Sequence, residues 1–417
     1  MRIIGNDPSV PRQTQEVASG TLPNGKPVVV NADGTVSVVG GSSASVGSAA
    51  QPEAAGAQYY ASAAFDSNVN KFVVAYRDDS NSQYATAVVG TVSGSSISFG
   101  TPVVIQSAEA EYLSAVYDSN AQKVVIAFRD NGNSNYGTAV VGTISGTSIS
   151  FGSESVFESA QTDWCAAVYD SNAQKVVIAY IDGGNSSNGT AVVGTVSGTS
   201  ISFGSTAIFE SGGAAIRPST TYDSNAQKHL ITWGDNANGG YGTAVVGTVS
   251  GTSISFGTAV VFAQVNVSNF NAAAYDPDNQ KFIVAYKDNT NSPYPGYFID
   301  ATISGTSVSF GSSTEFHSAY GNISTSNSPI IYDTNSDKFV LLFRDGNTDQ
   351  KLLAKTASIA STNITSENYI GISRSGAASG AGAIIDTQGA IAGNLSGLTA
   401  GQSYFVQTDG TLGTTAA

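Results

Sequence analysis

The chain has 417 residues, of which 17 are Lys or Arg and 31 are Asp or Glu, giving a formal charge of -14. So acidic a surface repels a polyanion, which excludes nucleic acid as an expected partner, and no apolar run approaches the roughly 20 residues of a membrane-spanning helix. The one cysteine, Cys165, leaves no intrachain disulfide, while 46 Gly and 19 Tyr beside 1 Met describe a turn-rich β protein.

In chain order, residues 1–25 come first. "MRIIGNDPSVPRQTQEVASG" lacks the apolar stretch of a secretory signal, and so polar and proline-bearing a segment is expected to order only against another protein. Residues 26–57 hold two β runs, "KPVVVNADGTVSVV", around Asn31-Ala32-Asp33-Gly34, followed by a Gly/Ser/Ala linker at 40–57. The runs read either as a self-contained hairpin or as a strand that closes the structure that follows.

Residues 58–372 repeat one sentence. Six copies align on the aspartates Asp66, Asp118, Asp170, Asp223, Asp276 and Asp333, at steps of 52, 52, 53, 53 and 57 residues. Each copy has a short strand ending in an aspartate, usually Tyr-Asp, then an apolar run such as "KVVIAY", expected to be covered on both faces. A third strand, "GTAVVGTV", meets a fourth, "TSISFG", across a two-residue Ser-Gly turn, a hairpin signal. One such sheet cannot bury both its faces, but a ring can. The expected fold is therefore all-β: a six-bladed β-propeller of four-stranded antiparallel blades, with an N-terminal hairpin and anchor segment and a small Gly-rich C-terminal β module at 373–417. A linear β array is the alternative; two-residue hairpins and the long period argue against it.

The copies differ most at the crossings between blades, "QSAEAEYLSAV", "ESAQTDWCAAV", "ESGGAAIRPSTT", "AQVNVSNFNAAA" and "HSAYGNISTSNSPII". These are expected to be rim loops, and Tyr112, Trp164, Arg217, Phe270 and Tyr320 on them are of the types that anchor ligands. Packing under a neighbouring blade is the competing reading. The loops between second and third strands start at Asp78, Asp130, Asp182, Asp235, Asp288 and Asp345; Asp130, Asp182 and Asp235 are counted as rim candidates, although aspartate also opens turns through its own side chain. Calcium-loop spacing is absent, so neither metal nor cofactor is expected. His229 stands where other copies carry Val or Phe and reads as a core residue, as does Cys165. No paired carboxylates stand out as a catalytic pair, so the chain is expected not to be an enzyme.

The two ends carry a resemblance. "IIGNDPSVPRQTQEVASGTLPNGKPVVVNADGTVSVVG" and "NYIGISRSG…SGLTAGQSYFVQTDGTLGTT" resemble tail-fibre and related virion proteins of marine bacteriophages, over about a fifth of the chain. The resemblance implies a virion protein assembled in the host cytoplasm, its N-terminal segment attached to other virion proteins and its distal part facing the host surface. A homo-oligomer is expected, with host glycan or another surface receptor as partner. A spacer without ligand and a glycan-degrading tailspike are the rival readings.

Overall fold

The computed structural model describes residues 28–30, 36–38, 50–52, 58–93, 96–213, 215–268, 270–318, 320–321, 330–333, 338–345, 352–359, 372–373, 385–386, 405–406 and 412–413. The expectations for residues 1–25 and most of the linker lie outside the described residues. The chain divides into two compact units, one of residues 46–359 and one that joins 1–45 with 360–417.

Among the described residues of the larger unit, all regular structure is antiparallel strand apart from single 3-10 turns at Asn131–Asn133 and Asn236–Asn238. Five blades follow the four-run grammar. The third, for instance, is built from Ser155–Asp170, Lys175–Asp182, Asn188–Ser197 and Ser200–Phe203, each run paired with the next. Ile330–Asp333, Lys338–Asp345, Leu352–Ala357 and the short Tyr320–Gly321 make a sixth sheet. First strands of successive blades touch one another, so the blades turn about their first strands. This is a β-propeller architecture.

The outer edge differs from the sequence reading. Each "SISF" run covers only half of the third strand; the other half pairs with the residues after it, as Thr86 does with Val104 and Ala87 with Val103. In blades two and three the expected rim loop is then no loop. Val103–Asp118 and Ser155–Asp170 each run for 16 residues from the outer edge of one blade into the first strand of the next. The Val, Ile, Tyr and Trp content of these crossings suits extended backbone, and the ladder satisfies amides that a loop would leave to water.

The glycine of each "SISFG" lets the blades approach. A Cβ on Gly152 would lie 1.8 Å from the carbonyl oxygen of Thr199, and the same clash recurs at Gly100 and Gly204. Apolar second and third strands fill the seams between sheets: Val125 and Ala127 of blade two pack with Ile178, Tyr180 and Ile201 of blade three. Ile149, Ile201, Ile254 and Val308 are 3–6% exposed because each is covered by the preceding blade. Their counterpart on the first blade, Ile97, is 42% exposed, and Phe65 on that blade's first strand 57%; on the sixth sheet Ile331 is 59% exposed. Among the described residues, the first blade and the sixth sheet thus each expose apolar side chains.

The aspartate turns hold the other rim. Asp66, Asp118, Asp170, Asp223 and Asp276 each accept, through Oδ1, two backbone N–H bonds from the residues two and three positions on, at 2.8–3.3 Å. His229 is fully buried, and its Nε2 lies 3.1 Å from Asp170 Oδ2 of the preceding blade, which explains how a polar ring survives at a Val/Phe position.

Candidate functional site

The register between first and second strands breaks once in each of the first four blades: Tyr59/Ser62, Glu111/Ser114, Asp163/Ala166 and Ile216/Ser219. Each break is a β-bulge, and its first extra residue takes a left-handed φ: Tyr60 at 52°, Tyr112 at 55°, Trp164 at 55° and Arg217 at 50°. For non-glycine residues this backbone costs on the order of 1–3 kcal/mol and persists only when the surroundings hold it. Bulges re-aim side chains. Here the four that carry the left-handed residues meet.

Tyr60 and Tyr112 form an edge-to-face pair with ring centroids 5.1 Å apart, and Tyr112 and Trp164 lie 4.5 Å apart. The Arg217 guanidinium sits over the Trp164 ring at 4.4 Å. One aromatic–cation arc therefore crosses four blades. Beside it runs a chain of charges. Arg77 bonds Asp79 at 2.8 Å and Glu111 at 3.2 Å, and Arg129 bonds both Glu111 and Asp163. Arg77 also lies 5.1 Å from the Tyr59 and Tyr60 rings, and Arg129 lies 4.9 Å from the Tyr112 ring. Their side chains are 12–20% exposed for Arg77, Glu111, Arg129 and Asp163, so the pairs are stronger than freely solvated ones. Burial, then the Asp163 charge and Tyr60, pushes the Tyr112 phenol up to about 12, so it stays a neutral donor. Burial lowers the Arg217 guanidinium, opposed by Tyr112 and Tyr60.

The structure brings together Tyr112, Trp164 and Arg217 among the sequence candidates, and separates the others. Phe270 departs from the set: it is 7% exposed and packs with Ala272, Ile283 and Phe339 between the fifth blade and the sixth sheet, so it is core and no rim anchor. Tyr320 pairs with Asp345 on a two-residue strand. It stands 13 positions before its turn aspartate, whereas Tyr112, Trp164 and Arg217 each stand six before theirs. Asp130 and Asp182 close their own loops, Asp130 accepting from Asn133 N at 3.1 Å and Asp182 from Gly184 N at 3.0 Å and Asn185 N at 3.1 Å. Asp235 opens the equivalent loop without a side-chain cap bond. These three aspartates belong to turns rather than to the arc. Tyr60, Arg77, Glu111, Arg129 and Asp163 were missed. The signal for Tyr60 was present, since it too stands six residues before a turn aspartate.

Ring edges, guanidinium donors and carboxylate acceptors lie side by side here, a combination suited to a ligand that is polar at its hydroxyls and apolar at its C–H faces. Among the described residues, no group of three His, Cys, Asp or Glu side chains gathers as a metal site, and no helix is long and apolar enough to cross a membrane.

No protein-family model matches the chain, and no curated protein does. Solved structures do match in fold. The BP39L lectin from Burkholderia pseudomallei is 11% identical with a TM-score of 0.58, over 80% of this chain and 91% of that one. A protein from Lactobacillus plantarum is 12% identical with a TM-score of 0.50, over 82% and 94%. A periplasmic gluconolactonase from Pseudomonas aeruginosa is 10% identical with a TM-score of 0.47, over 82% and 95%. A solved structure named as a lactonase thus stands among the similar ones, against the expectation that the chain is not an enzyme. At these identities the likenesses assign no activity. What they establish is the fold, and the chain is an all-β protein of the β-propeller type.

Proposed function

We propose that the chain is a phage virion protein whose propeller adheres to host-surface glycan through the arc of Tyr60, Tyr112, Trp164 and Arg217 with its flanking Arg77–Glu111–Arg129–Asp163 ion pairs. The observation that carries this reading is that the arc is assembled where near-identical repeats differ from one another. Sequence strings that resemble marine phage tail-fibre proteins supply the virion setting, and a lectin built on the same fold is consistent with a sugar ligand. Many copies on one particle would add weak contacts into avidity. Closure of a six-bladed ring, the last sheet meeting the first, would cover Ile97 and Ile331, which stand 42% and 59% exposed. The test is binding of the purified chain to envelope polysaccharide of a susceptible host, with newly released sugar ends measured in the same sample. Saturable binding that weakens on Trp164→Ala and Arg129→Ala supports the reading. Absence of binding to any host surface fraction overturns it.

A further inference from the structure

The smaller unit holds a duplication. Val28–Val30 pairs with Val36–Val38 in the register Val29↔Ser37 and Val30↔Val36. Near the other end, Phe405–Val406 pairs with Leu412–Gly413 in the register Phe405↔Gly413 and Val406↔Leu412. A single offset of 376 positions maps one set of pairs onto the other: Val29 to Phe405, Val30 to Val406, Val36 to Leu412 and Ser37 to Gly413. The same offset superposes identical residues at Leu22 and Leu398, Gly25 and Gly401, Val30 and Val406, Asp33 and Asp409, Gly34 and Gly410, and Thr35 and Thr411. In both hairpins five residues join the innermost pair, ending Asp-Gly-Thr. Chance does not readily preserve sequence spacing and strand register together.

A lone two-stranded hairpin this short is at best marginally stable in water and needs further strands to bury a face. Residues 1–45 and 360–417 form one compact unit although the whole propeller separates them in sequence. We propose that the two hairpins are copies of one module that fold as a single cooperative base, each supplying the other's missing partner, with the propeller inserted between them. The occupant of each hairpin's open edge is therefore the other copy in the same chain. This cooperative base does not depend on the adhesion reading.

The experiment is amide hydrogen exchange on the full-length chain and on Gly34→Val and Gly410→Val, each of which changes one of the two Asp-Gly-Thr sequences. Either substitution is expected to lower protection in both hairpins by about tenfold or more, while second-strand amides of the propeller, from Val176 to Tyr180, keep theirs. The propeller amides serve as the internal control for folding. Loss confined to the substituted hairpin overturns the proposal, as does absence of protection in either hairpin of the unsubstituted chain. Loss that spreads into the propeller also overturns it, because the base would then not be a separate unit.

Discussion

Trp164 is where the arc can be weighed. Its ring gives up an aromatic pair with Tyr112 at 4.5 Å, about 0.5–1.5 kcal/mol, and a cation–π contact with Arg217 at 4.4 Å, about 0.5–2 kcal/mol. Trp164→Ala is therefore expected to cost roughly 1–3.5 kcal/mol of propeller stability. The left-handed φ of 55° sharpens the test. Alanine keeps that backbone strain and glycine removes it, so Trp164→Gly should be about 1–2 kcal/mol more stable than Trp164→Ala, the reverse of the usual order. Urea unfolding followed by fluorescence suits the measurement, because the chain has 2 Trp and the one left, Trp233, is fully buried. An unchanged midpoint for the alanine variant would refute the stacked arc. A glycine variant less stable than the alanine variant would refute the strained bulge.

Three further outcomes are expected. Gly152→Ala sets a Cβ 1.8 Å from the Thr199 carbonyl oxygen, which should cost about 1–3 kcal/mol or more and lower Tm; an unshifted Tm would show that the blades do not meet there. Tyr117 and Tyr222 are pushed up from 10.0 to about 12, by burial first and then by the Asp66 and Asp170 carboxylates of the preceding blades. The folded state thus holds these protons more tightly than the unfolded one. Their stabilisation is present below pH 10 and is lost as pH rises through about 12, and Tyr117→Phe with Tyr222→Phe should flatten the alkaline limb of the stability curve. An unchanged limb would count against the inter-blade contacts. Cys165 is fully buried and its thiol is pushed up by that burial, so it should resist thiol reagents until the protein unfolds. On that silent background Ile97→Cys should also label slowly if the sixth sheet closes onto the first blade, and fast labelling would show that the ring stays open.

The blade grammar was legible because it is written in local chemistry: the Asp-Ser-Asn turn, the Ser-Gly hairpin and the β-branched runs recur at a fixed period. The crossings were misread as loops because Ser, Ala, Glu and Gln carry weak strand signals one at a time, and only the neighbouring ladder makes them extended. Of the site, the column of Tyr112, Trp164 and Arg217 was visible. Its inclusion of Phe270 failed because the sequence does not say that this residue faces the core, and the Arg77–Glu111–Arg129–Asp163 chain was hidden because its members come from different strands of different blades. The duplicated end hairpin was written in the sequence, 376 positions apart, but the strong central period masks a repeat that occurs only once on each side.

The central claim is that the arc carries adhesion, and the direct measurement is the affinity of the full-length chain for host envelope polysaccharide, compared across two faces. Arg129→Ala and Trp164→Ala should each weaken binding by about fivefold or more, while Ser119→Ala and Ser171→Ala in the aspartate turns leave it unchanged at equal folded yield. Equal affinity for all four variants would contradict the account, and so would loss on the aspartate-turn face alone.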